Sequence, residues 1–136
     1  MIAILEDDPT TRDVFQNALE LSNLGSRGFC KPEDCIKACL ENKDINLLIT
    51  DLNLGTTLSG TDVIRAIRAE RPAFKAIIVS ACSLQQIEEA RGLLDVPIIQ
   101  KPFKLRVLLD TINEQLRKPA PLIIAPAVNT TNYASF

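Results

Sequence analysis

The chain has 136 residues, of which 46% are hydrophobic and 24% charged, with a formal net charge of −2 and no histidine. That length suits one domain with a core large enough to fold without disulfide or metal staples. The acidic balance argues against direct nucleic-acid binding, and the missing imidazole excludes Ser-His-Asp, Cys-His and histidine-zinc chemistry.

Ile2 to Leu5 is a short continuous apolar run, the pattern of a strand buried on both faces. The N-terminus shows no basic segment leading into a long apolar stretch, so neither a signal peptide nor a transmembrane helix is expected, and a cytoplasmic location follows. Asp8-Pro9 places a capping side chain before a proline suited to the first helical position, and Val14, Phe15, Ala18, Leu21 and Ser22 then share one face. Ser26 to Cys30, flanked by Gly25 and Gly28, reads as a short strand near a sheet edge. Pro32 opens a second helix with Ile36, Cys39 and Leu40 inward, and Asn46 to Thr50 is the next buried strand.

A third helix begins at Gly60-Thr61, turns Val63, Ile64 and Ile67 inward and stops near Pro72. Ala76 to Ser80 and Val96 to Ile99 are further apolar strands. Between them, Ser83-Leu84-Gln85-Gln86 matches a capping box and predicts a fourth helix from about Leu84 to Gly92. Leu105, Leu108, Leu109, Ile112 and Leu116 form the stripe of a fifth helix that Pro119 ends. Five strand-helix units with short connections predict a doubly wound α/β fold, a parallel sheet with right-handed crossovers and helices on both faces. Cys30, Cys35, Cys39 and Cys82 lack a paired C-x-x-C framework and read as reduced, mostly buried thiols.

Open parallel sheets bind ligands outside the carboxyl ends of their strands. Glu6, Asp7 and Asp8 follow the first strand here, Asp51 the third, Ser80 ends the fourth, and Lys101 follows the fifth. Clustered carboxylates raise one another's pKa unless a cation neutralises them. Hard oxygen ligands with positions left for water or phosphate suit Mg²⁺ better than a caged Ca²⁺.

These residues resemble the receiver domains of bacterial two-component response regulators, in single-domain form. The resemblance covers residues 1–118 and rests on Asp7-Asp8, Asp51, Ser80 followed by Ala81, and Lys101-Pro102-Phe103, each at the end of its strand. It implies a flavodoxin-like (βα)5 fold with strand order 2-1-3-4-5. It also implies that Asp51 accepts a phosphoryl group from a phosphohistidine on a sensor histidine kinase or histidine phosphotransfer protein, which would supply the histidine this chain lacks. By the same resemblance, Asp8 and Asp51 would ligate Mg²⁺ directly, the backbone carbonyl of Asn53 would be a third ligand, and Asp7 would act through water. Lys101 and Ser80 would contact the phosphoryl group, and Lys101-Pro102 is often cis in the family. Output would run through protein contacts on the face of the fourth helix, fifth strand and fifth helix, with Arg106, Asp110 and Arg117 outward; homodimers through that face are common in the family. The chain would then be a signalling phosphoacceptor rather than an enzyme.

Four features depart from the family pattern. Ile98 stands where an aromatic switch residue is usual, the loop Leu52–Gly60 lacks Met-Pro and is one residue longer, and Cys82 sits where the family tunes access of hydrolytic water. Residues 119–136 form a Pro-rich tail too short for an output domain, and Leu122 to Val128 is expected to pack on an apolar groove of its own or a neighbouring chain. A phosphorylation-independent adaptor would tolerate loss of Asp51 or Lys101, yet both are present; an aspartyl-phosphate phosphohydrolase would want D-x-D at the first strand end, where this chain has Glu6-Asp7-Asp8.

Overall fold

A computed structural model describes residues 1–81, 92–93 and 95–118. In chain order the described elements are β1 (Ile2–Leu5), α1 (Pro9–Leu21), β2 (Ser26–Phe29), α2 (Pro32–Glu41), β3 (Leu47–Asp51), α3 (Gly60–Arg68), β4 (Lys75–Ser80), β5 (Ile98–Gln100) and α4 (Leu105–Arg117). The helix expected from Leu84, its capping box, Cys82 and the Pro-rich tail lie outside the described residues. All strand pairs are parallel and the sheet order is β2-β1-β3-β4-β5, as expected.

Two hydrophobic layers cover the sheet, because successive strand residues point to opposite faces. Ala3, Leu5, Leu48, Ala76 and Ile78 pack with Cys35 and Cys39 of α2 and Val63, Ile64 and Ile67 of α3. Ile2, Ile4, Leu47, Ile49, Ile77 and Val79 pack on the other face with Phe15 and Leu19 of α1 and Leu108 and Ile112 of α4. Burial on both faces explains why β1, β3 and β4 read as unbroken apolar runs.

Several stripes sit differently from their sequence expectation. On α1 the buried residues are Phe15, Ala18 and Leu19, while Val14 and Leu21 are exposed. On α2 the buried stripe centres on Cys35 and Cys39, with Ile36 and Leu40 only partly covered. Among the described residues, Cys30, Cys35 and Cys39 are free cysteines; Cys30 is exposed and the other two are buried. The last strand starts at Ile98 rather than Val96. The Val96 N–H is spent on a turn to Leu93 O (2.9 Å), and Pro97 has no N–H, although its carbonyl accepts from Ile78 N (2.9 Å).

The approach to β5 is fixed from α3. Arg68 donates from Nη1 and Nη2 to the two carboxylate oxygens of Asp95 (2.9 and 2.7 Å) and from Nε to Phe74 O (2.9 Å). The Arg68 hydrogen bonds hold the Asp95 carboxyl below its usual pKa, against the effect of burial. A depressed folded-state pKa adds stability above the unfolded value that is lost as pH falls through the folded one. Asp95→Asn should therefore cost about 0.5–1 kcal/mol at neutral pH, since the pair is partly exposed. In urea unfolding, that difference from wild type should shrink as pH falls below the ordinary aspartate range, through the lowered folded-state pKa.

Candidate functional site

The hydrogen-bond ladders continue one residue beyond the strand ends and so set the heights of the polar residues. Glu6 N donates to Phe29 O (3.1 Å), Leu52 N to Val79 O (3.2 Å), and Lys101 N to Ser80 O (2.7 Å). Glu6, Asp51, Ser80 and Lys101 are thereby brought to one edge of the sheet. The Lys101-Pro102 bond is cis, as the resemblance implied.

Lys101 Nζ donates to Asp51 Oδ2 at 2.9 Å and to Glu6 Oε1 at 3.4 Å. The side chain of Glu6 is 4% exposed and that of Asp51 15%, so the ammonium bridges two largely covered carboxylates. Burial alone would push the Lys101 pKa down; the hydrogen bond and charge of Asp51, helped by Glu6, outweigh it and raise the pKa. Burial raises the Glu6 pKa, the adjoining Asp7 carboxyl adds to this, and Lys101 opposes it. The pairing of Glu6 with Lys101 was not foreseen from sequence. A glutamate directly after a strand whose face is buried was the available signal.

Asp51 is held on both sides. Its Oδ1 accepts from Asn53 N (3.1 Å), and its backbone carbonyl accepts from Thr50 Oγ1 (2.8 Å). The following loop folds back so that Gly60 N reaches Leu52 O (2.9 Å), with Leu52 and Leu54 buried as anchors. Gly55, at φ +68°, takes the left-handed turn that a side chain would strain, and its N–H donates to Asn53 Oδ1 (3.1 Å). Ser59 and Asp62 form a reciprocal capping box on α3, visible in the sequence as S-x-x-D but not anticipated there.

The two acids after β1 have different surroundings. Asp8 is exposed, and its Oδ2 accepts from both Thr11 N (2.9 Å) and Thr11 Oγ1 (2.6 Å), capping α1; these bonds lower its pKa. Asp7 is also exposed but faces the β3–α3 loop, where a Cβ built on Gly55 would lie 3.4 Å from Asp7 Oδ2. Ser80 is buried at the end of β4. Ile98 lies at the start of β5, partly exposed, and Arg106, Asp110 and Arg117 are exposed on α4. Among the described residues, no three acidic, cysteine or histidine side chains form a ready-made metal cage. The donor set at this edge, carboxylates and backbone carbonyls, is nonetheless hard oxygen throughout and in excess of its nearby cations, which suits a partly hydrated Mg²⁺.

The response regulator receiver domain family model matches residues 2–113. Among solved structures, a response regulator receiver domain protein (CheY-like) from Methanospirillum hungatei JF-1 is 26% identical, with TM-score 0.76 over 85% of this chain and 91% of that one. A response regulator receiver protein from Pseudomonas putida is 29% identical, with TM-score 0.75 over 83% and 94% of the two chains. The receiver domain of NtrX from Brucella abortus, 21% identical, shares the fold with TM-score 0.77 over 88% of this chain and 100% of that one. A search of curated proteins finds no significant match.

Gly60 carries a steric constraint on the acid it follows in space. A Cβ there would lie 2.3 Å from the Asp51 carbonyl oxygen, so an added methyl must displace backbone at the site. Gly60→Ala should lower unfolding free energy by about 1–3 kcal/mol in urea titrations. Gly25→Ala, where nothing lies within 4 Å of the added carbon, should not lower it.

Proposed function

The chain belongs to the response regulator receiver domain family, and from that premise we propose that it accepts a phosphoryl group on Asp51 from a phosphohistidine partner and signals through protein contacts. The observation that carries this reading is the geometry of Asp51. Its carboxylate stands at the carboxyl end of a central strand, with Lys101 Nζ on one oxygen and the Asn53 N–H on the other.

In the proposed step an Asp51 carboxylate oxygen attacks phosphorus in line with the phosphohistidine nitrogen. The P–O bond forms as the P–N bond breaks, and the partner's imidazole leaves with the electron pair of that bond. Negative charge spreads over the equatorial phosphoryl oxygens. Lys101 can move its hydrogen bond from Asp51 Oδ2 to one of these oxygens without crossing the site, so stabilisation is in place before the charge develops. Glu6 keeps the ammonium at this height through the exchange. Ser80, at the end of the adjoining strand, would donate its hydroxyl to another phosphoryl oxygen and draw the following loop inward.

The residues that would hold Mg²⁺ are Asp7, Asp51 and the backbone carbonyl of Asn53, with Glu6 behind them. The direct role goes to Asp7 rather than Asp8 because Asp8 Oδ2 is committed to Thr11, while Asp7 Oδ2 faces Gly55 in the loop that carries Asn53. Mg²⁺, when bound, offsets the carboxylate charge and polarises the phosphoryl oxygens. The same proposal makes the chain a signalling phosphoacceptor with a sensor kinase or phosphotransfer partner, a downstream protein target and a cytoplasmic location. Among the described residues no helix is long and apolar enough to cross a membrane.

Incubation with acetyl phosphate and Mg²⁺ followed by intact-mass measurement tests the reading. Wild type should gain an adduct of about 80 Da, the mass of one phosphoryl group. Asp51→Asn should gain none, and Lys101→Ala should acquire it about 100-fold more slowly. A wild type that stays unmodified would favour a phosphorylation-independent adaptor.

A further inference from the structure

Two residues near the acidic edge run against their local structure. Gly28 sits inside β2, where a glycine weakens a strand. Arg12 is the fourth residue of α1, whose first turn carries no acid, and a cation there opposes the helix dipole. The phosphoryl chemistry described above uses neither.

They meet on one face of the sheet. Gly28 pairs in register with Ile4 of β1, and the side chains of Arg12 and Gln16, one helical turn apart on α1, lie over it. A Cβ on Gly28 would stand 2.9 Å from Arg12 Cδ and 2.7 Å from Gln16 Oε1, so the missing side chain is the clearance through which Arg12 passes. Beyond it, Arg12 Nη1 donates to Glu6 O at 2.8 Å.

That acceptor lies one step past the end of the ladder. The N–H and the carbonyl of an extended residue face the same neighbouring strand. Glu6 N donates to the carbonyl of Phe29, the last residue of β2, so the Glu6 carbonyl faces the place where β2 has ended. Half-buried Arg12 supplies the donor, and a bond from a charged group is stronger than the strand bond it replaces. The bonded carbonyl belongs to the planar peptide that joins Glu6 to Asp7, so holding it fixes the direction in which Asp7 leaves β1.

We propose that Arg12 is a positioning residue for Asp7, acting through the Glu6–Asp7 peptide, and that Gly28 is the clearance it needs. The proposal rests on the phosphoacceptor reading, in which Asp7 ligates Mg²⁺ directly and Glu6 stays beneath Lys101. With the peptide held, Glu6 keeps its carboxylate on Lys101 while Asp7 faces the Gly55 loop. Without Arg12 the peptide can rotate, and the Asp7 carboxylate spends less time where the cation would sit.

Isothermal titration of Mg²⁺ into the full-length chain tests this, with Arg12→Ala, Arg12→Lys, Gly28→Ala and Gln16→Ala beside wild type. Arg12→Ala should weaken Mg²⁺ binding about tenfold, as loss of a group that orients a metal ligand does. Gly28→Ala should weaken it too, by crowding Arg12, and Arg12→Lys, which keeps a donor, should recover part of the loss. Gln16→Ala removes the other side chain over Gly28 but not the bond to Glu6, and should stay within about twofold of wild type. The Mg²⁺ concentration for half-maximal phosphoryl uptake from acetyl phosphate should rise in Arg12→Ala by more than the maximal rate falls. An Arg12→Ala chain with lowered Tm but wild-type Mg²⁺ affinity would overturn the proposal, and so would an equal loss of affinity in Gln16→Ala. A wild type that binds no Mg²⁺ would instead overturn the phosphoacceptor reading, and this proposal with it.

Discussion

One ammonium group organises the carboxyl edge of this sheet. Lys101 reaches Asp51, 50 residues earlier, and Glu6, 95 residues earlier, and pairs with both carboxylates. Bringing Glu6, Asp7 and Asp51 together without it would leave like charges facing one another in partly desolvated surroundings, where their repulsion is screened less than in water. Lys101 offsets part of that cost. In the proposed function, the remaining negative charge would draw a divalent cation to the site, and the Lys101 hydrogen bond would pass to an incoming phosphoryl group.

Local hydrogen bonds and close packing position Asp51. Its carboxylate accepts from Asn53 N, its carbonyl accepts from the Thr50 hydroxyl, and Gly60 packs against its carbonyl oxygen. The neighbouring helices start from their own side chains. Asp8 caps α1, and the Ser59–Asp62 box caps α3. A site on strand ends whose flanking helices are separately capped can exchange hydrogen-bond partners without loss of the fold. The two hydrophobic layers that bury both faces of β1, β3 and β4 stabilise the scaffold on which the proposed exchange would occur.

Much of the fold was legible in the sequence because fully buried parallel strands leave apolar runs and the helices between them leave start signals. The misplacements have particular causes. Val96 belongs to an apolar run, but its N–H is used in a turn and Pro97 cannot donate, so β5 begins two residues later. Cys35 and Cys39 are small and carry a weaker apolar signal than Ile36 and Leu40, yet they occupy the tightest positions under α2. At the site, Asp51, Ser80 and Lys101 could be placed from strand ends alone. Adjacent acids could not be separated that way. Glu6, Asp7 and Asp8 differ by one residue each, successive side chains leave a strand in opposite directions, and only the observed end of the ladder shows which is buried under Lys101, which faces the loop and which caps the helix.

That division of labour among three consecutive acids is the central claim, since it ties the charge pattern to the chemistry at Asp51. It is tested most directly by isothermal titration of Mg²⁺ into Asp7→Asn and Asp8→Asn beside the wild-type chain. The account predicts that Asp7→Asn weakens Mg²⁺ binding by about tenfold or more, through loss of a direct oxygen ligand, while Asp8→Asn stays within about threefold. Tight binding by Asp7→Asn together with lost binding by Asp8→Asn would contradict it.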